Sequence, residues 1–287
     1  MEPAKEHVAE LEARIGELEA RLAEKDAAVR VLEEELKSLR EDDTAERVNE
    51  EVRQALEMLE AANMELTRAN QRMKQHWHAA ANVQRSLLPE RMPKAPNVSF
   101  AWRYHPCEGL AGDILNVFRL DDTRIGLYVL DVAGHGAAAA LHAVSISRLL
   151  VPMSLRSSWV RDWDMQRSEY FVIPPGEVVD RLNRHFPWDS EHAQFFTLIY
   201  GVLDKVSLEF RYCVAGHPGP AHFPAKGTPN IPKSTGLPVG LMPRAYDEQV
   251  LQLQRGDRLY LYSDGITEVH QEGQDLFGAD RVLELLG

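Results

Sequence analysis

The sequence predicts an α+β fold for residues 89–287, preceded by a long helical rod. Three observations carry that prediction. Apolar residues recur at heptad spacing as far as Leu87, the period changes to two from Val98, and the rest of the chain reads as strand pairs joined by short turns with helical stretches between them. Hairpins interspersed with helices argue for α+β rather than a doubly wound parallel sheet. Three segments follow: a first coiled-coil segment over 1–42, a second with its linker helix over 43–88, and a globular domain over 89–287.

The rod is set apart by composition. Before Trp77 there is no Phe, Trp or Tyr, and the only Gly and Pro are Gly16 and Pro3. Residues 1–80 carry 12 basic and 20 acidic side chains, so this part has too little apolar mass and too much charge for a globular core. Leu11, Ile15, Leu18, Leu22, Val29, Leu32, Leu36 and Leu39 form a 4,3 seam interrupted at Lys25. Its phase fails at Glu41-Asp42-Asp43-Thr44, where Asp43 with Glu46 three residues later reads as a helix N-cap and capping-box acid. A second phase runs through Val52, Leu56, Leu59, Asn63, Leu66, Asn70, Met73, Trp77, Ala80, Gln84 and Leu87, placing Asn63 and Asn70 at a positions. Asn at a pairs across a parallel dimer and fixes register, so the pattern predicts a parallel homodimer, with a lone solvated helix as the alternative. Residues 52–87 would span roughly 54 Å as a helix. Leu87-Leu88-Pro89 ends the rod, and the Pro-rich stretch 89–96 is the linker.

Charge and composition exclude several functions. With 32 basic against 44 acidic residues, a net charge of −12, the chain is a poor partner for nucleic acid or anionic lipid, and no basic block precedes the zipper. No run of about 18 apolar residues is present, and the N-terminus lacks the basic-then-apolar order of a signal peptide. No membrane span is therefore expected, and the location expected is cytoplasmic. Cys107 and Cys213 stand alone, without zinc or disulfide spacing.

In the globular part, Val98, Phe100, Trp102 and Tyr104 alternate as a half-buried strand does. Residues 114–120 and 125–130 flank a turn at Asp121-Asp122-Thr123-Arg124, and 195–203 and 207–215 flank one at Asp204-Lys205. A further strand is expected at 258–263, and helices at about 137–151, 176–186 and 278–286. Asp113, Asp131 and Asp264 each sit at the end of an apolar strand with Gly nearby. Carboxylates converging at one sheet rim are hard-oxygen ligands suited to Mg²⁺ or Mn²⁺. Each taken singly also fits a turn or a helix cap. No Ser-His-Asp or Cys-His constellation and no H-E-x-x-H spacing stands out among the eleven histidines. His135 and His217 are candidates for a general acid or, equally, for structural hydrogen bonding, and Thr197 reads as a sheet residue.

The segments Gln84-Arg85-Ser86-Leu87-Leu88-Pro89, Ala111-Gly112-Asp113, Asp131-Val132-Ala133-Gly134-His135-Gly136-Ala137-Ala138-Ala139, Phe195-Phe196-Thr197-Leu198, Ala215-Gly216-His217-Pro218, Gly236-Leu237-Pro238-Val239-Gly240 and Tyr262-Ser263-Asp264-Gly265-Ile266-Thr267-Glu268 occur in an order and spacing that resembles the SpoIIE-type branch of the metal-dependent PPM (type 2C) serine/threonine phosphatases. The resemblance implies an αββα sandwich of two antiparallel sheets flanked by helices, and two Mn²⁺ or Mg²⁺ ions. Asp131 would bridge the ions, with the Val132 carbonyl, Asp113 and Asp264 as further ligands. It also implies that a metal-activated water attacks phosphoserine or phosphothreonine on a regulatory protein such as an anti-sigma-factor antagonist.

Two departures stand out. Asn116 occupies a position where relatives often have a second Asp, and relatives continue past the helix at 278–286 into an Asp-Asp segment and a final strand. Loss of a hard carboxylate would weaken metal binding. The rival readings are a non-catalytic pseudophosphatase that scaffolds a phosphoprotein, and a hydrolase of small phosphoesters.

Overall fold

The structure is a computed structural model describing residues 2–38, 43–106, 109–152, 158–188, 195–233, 236–269 and 276–286. It divides into two compact units, Met1–Ala80 and Ala81–Gly287. The first consists of helices α1 (Glu2–Ser38) and α2 (Asp43–Arg85), of which the last turn belongs to the second unit. Leu39 and residues 41–42, where the sequence places the phase break, lie outside the described residues. In α2, Val52, Leu56 and Leu59 are half-buried, whereas Leu66 and Met73 on the same seam are 62% and 63% exposed in the single chain.

The second unit has four layers. A five-stranded antiparallel sheet has the order β1-β2-β5-β6-β8, from β1 (Asp113–Arg119), β2 (Arg124–Val132), β5 (Phe196–Asp204), β6 (Glu209–Ala215) and β8 (Glu248–Gln252). Against one face, α3 (Gly136–Leu149) and α4 (Pro175–His185) cover Ile114, Tyr128, Leu130, Val132, Phe196, Leu198 and Tyr200. The other face presents Val129, Ile199, Phe210, Tyr212 and Val214 to Leu259 and Leu261. Those two residues belong to or follow β9 (Arg258–Tyr260), which pairs with β7 (Ala221–Phe223). Alternation then sends Tyr260 and Tyr262 to the far side, where they meet Leu283 and Leu286 of α6 (Gly278–Leu286). The α+β prediction and its sandwich layering hold, with the second sheet two-stranded among the described residues. A separate hairpin pairs β3 (Arg161–Asp164) with β4 (Glu169–Val172).

The expected strand at Val98–Tyr104 is a correction. Val98 and Phe100 turn inward onto the Val129 cluster, yet apart from an isolated bridge between Ala95 and Val98 the segment joins no ladder. Burial on one side produces period two without strand pairing. Close packing of the sheet is set at Gly201, where any Cβ would overlap the ring of Phe210 on β6. No described helix is long and apolar enough to cross a membrane. Cys213 is buried, which pushes its thiol pKa up to about 12, and Cys107 lies outside the described residues.

Candidate functional site

Strand register builds the site. Asp113 begins β1 and stands directly opposite Asp131 of β2, which in turn stands opposite Thr197 of β5. Residues paired in this way project from the same sheet face with Cβ atoms about 5 Å apart, so the three polar side chains form a row at one end of the inner face. Their chain neighbours Ile114, Leu130, Val132, Phe196 and Leu198 are all buried on the helix-covered face and hold this register.

The two carboxylates share a hydrogen bond. Burial raises both pKa values, and for Asp131 the charges of Asp113, Asp264 and Glu268 add to the rise. Asp131 therefore holds a proton well above the ordinary carboxylate range when no cation is bound. Asp113 Oδ2 also accepts a 2.9 Å hydrogen bond from Ser263 Oγ. Ser263 is the N-cap residue of α5 (Asp264–Thr267), but its side chain makes no cap hydrogen bond. Its hydroxyl is committed to Asp113, across 150 residues of chain.

Glycines bring main-chain oxygens to the same place. A Cβ on Gly112 would lie 3.3 Å from Asp131 Oδ1, 3.4 Å from the Gly134 carbonyl oxygen, and closest of all, 2.5 Å, to the Val132 carbonyl oxygen. The turn that follows needs positive φ at Gly134 (+99°) and Gly136 (+81°), and it places His135 as the N-cap of α3. The Val132 carbonyl, Asp131 and Asp113 make an all-oxygen donor set of the kind Mg²⁺ and Mn²⁺ take, and a cation there would relieve the carboxylate repulsion. These residues fit such an ion. Asp264 lies within electrostatic range of Asp131, but no group of three or more His, Cys, Asp or Glu side chains at metal-binding distance occurs among the described residues.

Asn116 does not belong to this row. It lies three residues along β1, hence on the opposite face, where it is paired with Tyr128 and its Oδ1 accepts the Val117 N–H at 2.8 Å. His217 is buried and its Nδ1 lies 2.7 Å from Thr197 Oγ1. Burial lowers its pKa to about 4, which favours the neutral imidazole over the imidazolium.

Sequence reasoning missed Ser263, Glu268 and Tyr104 as neighbours of the carboxylates. Tyr104 OH donates to the Asp113 carbonyl at 3.3 Å, and burial followed by the Asp113 charge raises its pKa to about 12. The last turn of α2 reaches the same loop. Gln84, 2% exposed, donates from Nε2 to the Ala111 carbonyl at 2.6 Å and accepts the Ala111 N–H at 3.2 Å. The pairing of Ser263 and Gln84 with partners so remote in sequence leaves no periodic trace.

The layered unit has the fold of the SiaA-PP2C domain of Pseudomonas aeruginosa, with a TM-score of 0.57, 19% identity, and coverage of 76% of this chain and 82% of that one. The chain belongs to the Stage II sporulation protein E (SpoIIE) family, which matches residues 121–287. Phosphoserine phosphatase RsbP of Bacillus subtilis (strain 168) is 27% identical over 200 residues, covering 68% of this chain and 46% of that protein. Phosphoserine phosphatase RsbU of the same organism is 27% identical over 205 residues, covering 70% and 56%. The chain thus spans about half the length of these two curated relatives.

The raised carboxylate pKa has a sign. Below the ordinary aspartate pKa, near 4, folded and unfolded states both hold the proton. As pH rises above it, the unfolded chain releases the proton and the folded one does not, so the pair destabilises the fold increasingly up to the folded pKa. Asp131→Asn in chelator-treated protein should raise the melting temperature by roughly 2–4 °C at pH 8, with the gain vanishing near pH 4. Differential scanning calorimetry at both pH values checks this, and an equal gain at both would contradict it.

Proposed function

We propose that the chain is a metal-dependent protein serine/threonine phosphatase, cytoplasmic, acting on phosphoserine or phosphothreonine of a regulatory protein and controlled through a parallel dimeric coiled coil. The observation that carries this reading is the half-buried Asp113–Asp131 pair beside the Val132 carbonyl, an all-oxygen site whose repulsion calls for cations. Membership of the SpoIIE family and two phosphoserine phosphatases among the relatives supply the reaction class. A phosphorylated anti-sigma-factor antagonist is the substrate class that the family resemblance favours.

In this reading Asp131, Asp113, Asp264 and the Val132 carbonyl hold two Mn²⁺ or Mg²⁺ ions. When bound, such ions supply a water of lowered pKa and neutralise charge on the phosphoryl oxygens. The chain's own part is to release the proton shared by Asp113 and Asp131, keep both carboxylates on one face, and fix Asp113 through Ser263 Oγ. No protein nucleophile is called for. On the input side, the second seam of α2 leads to Gln84, whose side chain grips Ala111 two residues before Asp113. A register or rotation change in a dimeric rod therefore has a short mechanical route to the first carboxylate.

A second reading, a pseudophosphatase scaffold, draws on the absence of a closed three-carboxylate group among the described residues. One assay separates the two. Hydrolysis of a phosphoserine protein should require Mn²⁺ and fall by more than about 100-fold in Asp131→Ala, whereas activity that survives the substitution, or needs no metal, removes the mechanism. For the rod, replacing Asn63 and Asn70 with Ile should change the oligomer order seen by analytical ultracentrifugation and, with it, turnover. A changed oligomer with unchanged turnover would contradict the coupling.

A further inference from the structure

Resting on the phosphatase reading, we propose that a cation-rimmed groove beside β1 docks an acidic, extended segment of the phosphoprotein substrate. The groove has a volume of about 540 Å³ and is lined by the linker 89–94, by β1 and by the turns at Asp121 and Lys205. Its size falls in the range of ligand pockets. Pro89, Pro93, Val117, Phe118 and Ile125 supply its apolar surface.

The charged part of the lining is one-sided. It carries Arg91, Lys94, Arg119 and Lys205 against a single carboxylate, Asp121, in a chain whose net charge is −12. That carboxylate is committed to its own turn. Asp121 Oδ1 accepts the Thr123 and Arg124 N–H groups at 2.9 and 2.7 Å, and Oδ2 pairs with the Arg124 guanidinium at 2.6 Å. The nearby Asp204 likewise accepts the Val206 and Ser207 N–H groups at 2.8 and 2.9 Å. Arg119 is held by Asp122 and by the Asp121 carbonyl. Arg91, Lys94 and Lys205 enter no ion pair among the described residues, and the first two are exposed. Cations of one sign over apolar walls focus their field and draw in anionic groups.

The main chain of β1 decides how such a segment is held. β1 is the edge strand of its sheet among the described residues. The Gly112 carbonyl and the Leu120 N–H bond to the chain of β2, so residues of odd number point their main-chain groups to the free edge. Two of those groups are already taken: Asn116 Oδ1 accepts the Val117 N–H at 2.8 Å, and Tyr104 OH donates to the Asp113 carbonyl at 3.3 Å. Simple strand addition is obstructed, which leaves side-chain charge as the means of recognition. Along β1 the groove runs from Asn116, three residues from Asp113, to Arg119, six residues away. At about 3.3 Å per residue this is roughly 10–20 Å. A substrate with its phosphoserine at the carboxylates would then carry its acidic residues about three to six positions away.

The test uses the full chain with Mn²⁺ and two synthetic phosphoserine peptides, one with Glu and one with Gln at the third to sixth positions on both sides of the phosphoserine. At low salt kcat/KM should favour the Glu peptide about 10-fold, through KM, and the preference should fade as salt is raised. The triple variant Arg91→Glu, Lys94→Glu, Lys205→Glu should lose the preference by raising KM for the Glu peptide, with kcat and the Gln peptide unchanged. Fluorescence anisotropy of the labelled Glu peptide with an unphosphorylated serine reads docking without turnover and should show about 10-fold weaker binding to the variant. Should the triple variant fail to fold by circular dichroism, Arg91→Glu with Lys94→Glu decides the matter. Equal treatment of the two peptides by the wild type, or an undiminished Glu preference in a folded variant, overturns the groove and leaves the phosphatase reading standing. Charge-dependent binding of the Glu peptide with no hydrolysis of either peptide overturns the phosphatase reading and leaves the groove as an acidic-segment site. A variant with altered sedimentation and unaltered peptide preference gives the groove to the acidic rod of a second copy and overturns the proposal.

Discussion

The constraint on which the rest depends is that two half-buried carboxylates are held opposite each other on adjacent strands. Asp113 and Asp131 would separate if the backbone allowed it, because two negative charges a few ångströms apart in a poorly solvated place repel strongly. The backbone does not allow it. Seven consecutive residue pairs lock β1 to β2, and Ile114, Leu130 and Val132 are driven into the helix-covered core on the other face. A one-residue slip would relieve the carboxylates only by turning that apolar set towards the inner face. Hydrophobic burial on one face thus enforces electrostatic frustration on the other, which cations would relieve in the proposed metal site.

The surrounding features read as responses to that constraint. Gly112 lets the Val132 carbonyl and Asp131 Oδ1 approach the same backbone, which any side chain would prevent. Ser263 gives up a local helix cap to donate to Asp113. Gln84 and Tyr104 secure the main chain just before and at Asp113, so the first carboxylate is held from three directions by groups far apart in sequence.

The elements were legible in the sequence because their periodicity reports burial. The turns at Asp121 and Asp204 and the Ala-rich stretch of α3 carry the local signature of what they form. The meeting of Asp113 and Asp131 was legible because each lies at the same end of one apolar hairpin. One reading failed for an identifiable reason. Alternation at Val98 and Phe100 reported one-sided packing, which does not demand a ladder partner. The contacts of Ser263, Thr197 and His217 were invisible because each joins residues remote in sequence. The family motifs flagged their positions without stating what joins them.

The most direct test of the account is the protonation state of the pair itself. Carboxyl carbon NMR of the aspartates, with metal removed, should find one carboxyl of the Asp113–Asp131 pair still protonated at pH 7, and titration with Mg²⁺ should release that proton to solvent. Both carboxyls ionised near the ordinary aspartate pKa, with no proton released on adding Mg²⁺, would contradict it.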